Sequence, residues 1–130
     1  MVMGASRVSA ENTYRIISTE QLKAMLDAKG KFTLIDTRTK DEFDDAHLVR
    51  AINIPEKNFE GLVSILPAKK NALLIIYCNG VKCGKSKKVA AKAEAAGYTN
   101  ILLYAEGFPV WEEKAMPFTQ RLSWMVTTGG

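Results

Sequence analysis

The residues able to do chemistry concentrate in one short segment, Cys78-Asn79-Gly80-Val81-Lys82-Cys83-Gly84-Lys85-Ser86, which holds both cysteines of the chain. A thiol reacts as its thiolate, and positive charge or a helix N-terminus favours that form. Lys82, Lys85, Lys87, Lys88 and Lys92 crowd together here, and no acid stands between Cys78 and Ala93. Lysines in the first turn of a helix oppose the helix dipole, which prefers acids there. A bound anion would offset that local cost. Taken singly, each feature also has a plain explanation. A lysine row is what a solvated helix face carries, and a free cysteine at a strand end is often a packing residue. Together they point to a nucleophilic thiol facing an anionic substrate.

The flanking elements position this segment. Leu73-Leu74-Ile75-Ile76-Tyr77 carries no polar aliphatic residue, as expected of a central strand covered on both faces. Residues 86–96 are rich in Ala and Lys, strong helix formers, and Gly97 closes that helix. Cys78 therefore stands between the carboxyl end of a buried strand and the start of a helix, where open α/β sheets bind their ligands. Upstream, Ser18 with Gln21 and Thr39 with Glu42 are two capping boxes. The first opens a helix that presents Leu22, Met25 and Leu26 and ends at Gly30; the second opens a short helix reaching about Ala46. Strands are expected at 32–35, 51–54 and 101–104, a helix at 59–66 with Leu62, Val63, Ile65 and Leu66 buried, and a last short helix from Pro109. Strands alternating with helices predict an α/β fold with a mostly parallel sheet.

Composition sets bounds on function. The 130 residues are 47% apolar and 25% charged, ordinary values for one soluble globular domain. A net charge of +4 is too mild to imply nucleic acid, and no run approaches the length of a membrane span. His47 is the sole histidine, so a structural zinc held within the chain is not expected. Two neighbouring cysteines do not make a secreted disulfide scaffold, and residues 1–12 lack the apolar core of a signal peptide. The expectation is a cytoplasmic domain over residues 14–117, with an N-terminal tail at 1–13 and a C-terminal tail or linker at 118–130.

Three segments carry a family resemblance. They are Asp36-Thr37-Arg38-Thr39-Lys40-Asp41-Glu42-Phe43 with Ala46-His47-Leu48 and Ala51-Ile52-Asn53-Ile54-Pro55; Tyr77-Cys78 with its loop and helix; and Gly107-Phe108-Pro109-Val110-Trp111. In this order they resemble the rhodanese family over roughly residues 14–117. The resemblance implies a sheet of about five mostly parallel strands with helices on both faces. It implies no cofactor. It further implies that Cys78 takes sulfane sulfur from thiosulfate or a persulfide, holds it as a persulfide, and passes it to a thiophilic acceptor such as a protein thiol. A common family form has a shorter stretch between the cysteine and a following serine; here Ser86 stands eight residues after Cys78, and the added length carries Cys83. The chain resembles a less common branch with that second cysteine.

The resemblance distributes roles. The loop residues Asn79, Gly80, Val81, Lys82, Cys83, Gly84 and Lys85 would bind the small anionic donor, with the backbone N–H groups of residues 79–84 and Lys82 stabilising the anionic sulfur. Asp36, Arg38, Glu42 and Ser86 would support the loop: Arg38 and Glu42 as a bidentate ion pair, Asp36 by bonding backbone near it. His47 falls at a structural turn, Tyr77 packs in the sheet, and Phe108 and Trp111 line core and pocket. Cys83 has two readings. As a resolving thiol it would attack the Cys78 persulfide, release sulfide and leave a disulfide. As a plain loop residue it would lend its N–H to the cradle. A loop that points N–H groups inward tends to turn side chains outward, so two free thiols are expected in the reduced resting form, with disulfide formation left open under peroxide or persulfide excess. Other functions fit less well or remain open. A Cys-x5-Arg phosphatase or arsenate reductase needs an arginine where Gly84 stands. A non-enzymatic sulfur carrier or docking module, and a Cys78/Cys83 redox switch, stay open.

Overall fold

A computed structural model of the chain describes residues 14–121. In chain order the elements are β1 (Arg15–Ile16), α1 (Thr19–Asp27), β2 (Thr33–Asp36), α2 (Lys40–Asp45), β3 (Ala46–Leu48), β4 (Ile52–Asn53), α3 (Phe59–Leu62), β5 (Leu74–Tyr77), α4 (Lys85–Ala95), β6 (Ile101–Tyr104), α5 (Gly107–Glu113) and β7 (Phe118–Gln120). Single 3-10 turns, Glu56–Asn58 and Val63–Ile65, flank α3. The main sheet has five strands in the order β1-β6-β5-β2-β4, and every pairing in it is parallel.

Alternation along the strands builds two cores. Leu34, Ile75, Tyr77, Leu102 and Tyr104 face the side covered by α1 and α5, through Leu22, Leu26, Phe108 and Trp111. Ile35, Leu74, Ile76, Ile101 and Leu103 face the other side, against Phe59 of α3 and Val89, Ala90 and Ala93 of α4. All four residues of β5 are fully buried, which is why that strand reads as a continuous apolar run. No helix among the described residues is long and apolar enough to cross a membrane.

Both capping boxes form as expected: Ser18 Oγ accepts from Gln21 N–H, and Thr39 Oγ1 accepts from Glu42 N–H. Other expectations need correction. The helix α1 ends one residue early, with Lys29 rather than Gly30 in the left-handed region at φ 56°. The N–H groups of Lys29 and Gly30 then donate to the carbonyls of Leu26 and Met25, so hydrogen bonding closes the Schellman end without a glycine at the left-handed position. The helix expected at 59–66 breaks after one turn into 3-10 geometry and leaves Ile65 53% exposed. Residues 118–120, expected to begin a tail, form β7, which pairs antiparallel with β3 outside the main sheet. The tails at 1–13 and beyond 121 lie outside the described residues.

Candidate active site

The strands β2 and β5 run side by side, but the chain leaves β2 towards the edge strand β4 and leaves β5 the opposite way towards β6. The crevice beyond their carboxyl ends is thus the point where the strand order reverses, the favoured ligand position of an open α/β sheet. Register places Asp36, Tyr77 and Tyr104 level with one another at that edge. Cys78 is the next residue after β5 and is only 2% exposed.

Cys78 is fastened from both sides. Thr37, which follows β2, donates its N–H and its hydroxyl to the Tyr77 carbonyl at 3.0 and 2.9 Å. Phe108 N–H, in the first turn of α5, donates to the Cys78 carbonyl at 3.0 Å. Gly107 makes that second contact possible. Its φ is +73°, and a Cβ there would lie 2.5 Å from the Cys78 carbonyl oxygen and 2.6 Å from Gly80 N. The loop after β6 therefore packs directly on the cysteine loop.

The cysteine loop itself turns back at Gly80, whose φ is +128°. Cys83 N–H donates to the Gly80 carbonyl at 3.0 Å, with Val81 and Lys82 at the exposed tip. This turn folds Cys83 over Cys78, and the two are joined in a disulfide with Cα atoms 6.3 Å apart. The expectation that the loop turns the two side chains apart is thereby overturned. The glycine conformation at residue 80 brings the two side chains together instead of splaying them outward. It also commits Cys83 N–H to the turn, so that amide leaves the expected anion cradle. The amides of residues 79–82 and 84 donate to no group among the described residues. Gly84 is the N-cap of α4, which begins with Lys85, the buried Ser86 and Lys87 and has no acid in its first turn.

The supporting residues partner differently from the expected pattern. Arg38 does not pair with Glu42. Its guanidinium grips Asp36, with Nη2 at 2.7 Å and Nε at 3.1 Å from the carboxylate oxygens. It also donates to the Ala46 carbonyl and stacks 4.5 Å from the Phe108 ring centroid. Asp36 is fully buried and accepts as well from Arg38 N–H at 2.8 Å and from the Tyr77 hydroxyl at 2.6 Å. It thus bonds both backbone of the turn after β2 and the strand-end tyrosine. The Tyr77 hydroxyl accepts in turn from Leu48 N–H. Burial, with the adjacent Asp36 carboxylate, pushes the Tyr77 phenol far above its ordinary range. Burial would lower the Arg38 pKa, but the Asp36 carboxylate outweighs it and holds the guanidinium charged.

Glu42 serves the loop instead. Its Oε2 accepts from the Asn79 side chain at 2.9 Å, while Oε1 accepts from Thr39 N–H and hydroxyl. Burial pushes the Glu42 carboxyl up, but these hydrogen bonds prevail and hold it below the usual carboxylate range. His47 lies in β3, stacked on Phe43 with its Nδ1 at the Phe43 carbonyl, away from the cysteine. Asn79, Gly80, Val81 and Lys82 line an open hollow of about 520 Å³ with Glu106, Pro109 and Val110. Lys85 instead borders a separate hollow of about 200 Å³ with Thr37, Lys40 and Lys57. Spacing did not reveal Glu106, which anchors its loop by accepting from Thr19 N–H and hydroxyl. Its only sequence signal is its place just before Gly107.

Comparison with known proteins accords with this geometry. The rhodanese-like domain pattern matches residues 18–114. The human thiosulfate:glutathione sulfurtransferase is 28% identical over 110 residues, covering 75% of this chain and 93% of that protein. A probable molybdopterin-synthase adenylyltransferase of Gracilaria tenuistipitata var. liui is 35% identical over 68 residues, covering 50% of this chain but 19% of that protein, so the chain spans only a fraction of it. The crystal structure of a thiosulfate sulfurtransferase from Pseudomonas aeruginosa superposes with a TM-score of 0.72 at 21% identity, over 83% of this chain and 20% of that one, a likeness of fold. With a five-stranded parallel sheet, a cysteine at its switch point and the family pattern spanning most of its length, the chain belongs to the rhodanese-like domain family.

Proposed function

We propose that the chain is a sulfurtransferase in which Cys78 carries the transferred sulfur atom as a persulfide. The observation that carries the reading is the position of Cys78: buried, directly beyond β5, and ahead of a helix whose first turn holds lysines and no acid. The sulfurtransferase names of relatives such as the human protein support the same reading. Reductive opening of the Cys78–Cys83 bond is the first requirement. A cytoplasmic setting, where thiol reductants are abundant, fits it. The freed Cys78 thiolate then attacks the outer sulfur of thiosulfate. That sulfur's bond to the sulfonate breaks, and the electron pair leaves with sulfite. A persulfide donor reacts in the same way and releases a thiolate. The acceptor, cyanide in an assay or a protein thiol, attacks the outer sulfur and Cys78 departs as thiolate. The amides of residues 79–82 and 84, with Lys82, would steady the negative sulfur at each stage. Service to one protein acceptor as a sulfur carrier would use the same persulfide.

Intact mass tests this. The reduced chain should gain about 32 Da, one sulfur atom, on mixing with thiosulfate, and lose it to cyanide or dithiothreitol. A Cys78→Ser variant that still takes the label would remove Cys78 from the role.

A further inference from the structure

We infer that Cys83 gives the protein a second reaction: discharge of the Cys78 sulfane atom as hydrosulfide, with a thiol reductant as the closing substrate. The inference rests on the persulfide reading above and adds to it what the disulfide implies. The turn from Gly80 to Cys83 already holds the two sulfurs at bonding reach, through the Cys83 N–H bond to the Gly80 carbonyl and the positive φ of Gly80. The disulfide is therefore the product of an attack that the loop is shaped to permit.

The step balances without an outside oxidant. The Cys83 thiolate attacks Cys78 Sγ in the persulfide Cys78–S–SH. The Cys78 Sγ–sulfane bond breaks, and the sulfane atom leaves with the bonding pair and its proton as HS⁻. Two thiol-level sulfurs are oxidised to the disulfide, and the sulfane atom is reduced to sulfide. The reset has a direction set by burial. Cys78 is 2% exposed, whereas Cys83 is partly exposed beside the 69% exposed Val81. A reductant thiolate thus meets Cys83 Sγ first. Cys78 leaves as thiolate ahead of the start of α4, whose first turn holds no acid and whose free amide ends favour the departing negative charge. A second reductant thiolate attacks the mixed disulfide, forms the reductant's own disulfide and frees Cys83. Per turnover, one sulfane atom and two thiols give one hydrosulfide and one disulfide. Cys83 thereby competes with external acceptors for the persulfide.

A single turnover separates this reaction from simple transfer. The full chain is reduced, freed of reductant, mixed with one equivalent of thiosulfate, and followed by sulfide release and non-reducing peptide mapping. The parent should release one sulfide for each Cys78–Cys83 disulfide formed. Cys83→Ala and Cys83→Ser should keep the persulfide mass, deliver it to cyanide, and release sulfide at least roughly tenfold more slowly until a thiol is added. A parent that holds its persulfide with Cys83 free, or a Cys83→Ala variant that releases sulfide as fast as the parent, would overturn the inference and leave the transfer reading standing. If neither parent nor variants take up sulfur, both readings fall together.

Discussion

At the scale of single residues, the buried trio Asp36, Arg38 and Tyr77 sets how firmly the site edge is held. A buried charge pair is costly to assemble and far costlier to break, because the survivor keeps its charge without a partner. Asp36 and Arg38 are 0% and 5% exposed at their side chains, so water cannot compensate. Asp36→Asn should therefore destabilise the reduced protein by about 3–5 kcal/mol. Tyr77→Phe removes one hydrogen bond to the carboxylate and strands Leu48 N–H, at about 1–3 kcal/mol. Urea unfolding measures both; an Asp36→Asn midpoint near that of the parent would refute the account. The sequence reading pairs Arg38 with Glu42, whereas the folded chain pairs it with Asp36. What decides is burial: Asp36 ends a strand inside the sheet, while Glu42 caps a surface helix and is already engaged by Thr39 and Asn79. Burial is a property of the folded chain, so that choice was not readable from the order of residues.

At the scale of elements, the site is two loops held in register by one glycine. Any side chain at Gly107 collides with backbone of the cysteine loop, which cannot yield as a flexible side chain would, and the positive φ adds strain. Gly107→Ala should lower sulfur transfer by tenfold or more, about 1.4 kcal/mol or above in the barrier, with a smaller loss of overall stability. Gly61→Ala is the control, since nothing lies within 4 Å of a Cβ there. Equal transfer rates in the two variants would show that the loops move independently. The elements that sequence reveals are those specified by local signals. Ser18 with Gln21 and Thr39 with Glu42 form their boxes within four residues, and Gly97 closes α4 at φ +104°. The pair β3 and β7 is the opposite case. Each strand has three residues, and each is stabilised by a partner far along the chain, so neither leaves a periodic pattern of its own.

At the scale of the whole molecule, charge is arranged around the site rather than merely summed to +4. Lys92 is engaged by Glu60 at 2.9 Å and Glu56 at 3.5 Å. Lys82, Lys85, Lys87 and Lys88 make no ion pair among the described residues, so their fields act outward from the cysteine loop and α4. This clustering was legible in the sequence because it needs no fold, only an acid-free run; which lysine was already neutralised became clear only once α4 packed beside Glu56 and Glu60. Unpaired positive charge at a site mouth raises the encounter rate of anions and is screened by salt. The screening length shrinks from roughly 30 Å at 0.01 M to roughly 8 Å at 0.15 M ionic strength. The kcat/KM of the reduced protein for the thiosulfate dianion should therefore fall several-fold over that range, while a neutral dialkyl trisulfide should show little change. Lys82→Ala should flatten the thiosulfate slope and raise KM without moving the unfolding midpoint, since an exposed ammonium at the loop tip supports little of the core. Lys87→Ala, farther along α4, should act more weakly. Identical salt slopes for the charged and the neutral donor would mean that the lysines are a solvated face and that donor capture depends on the loop amides alone.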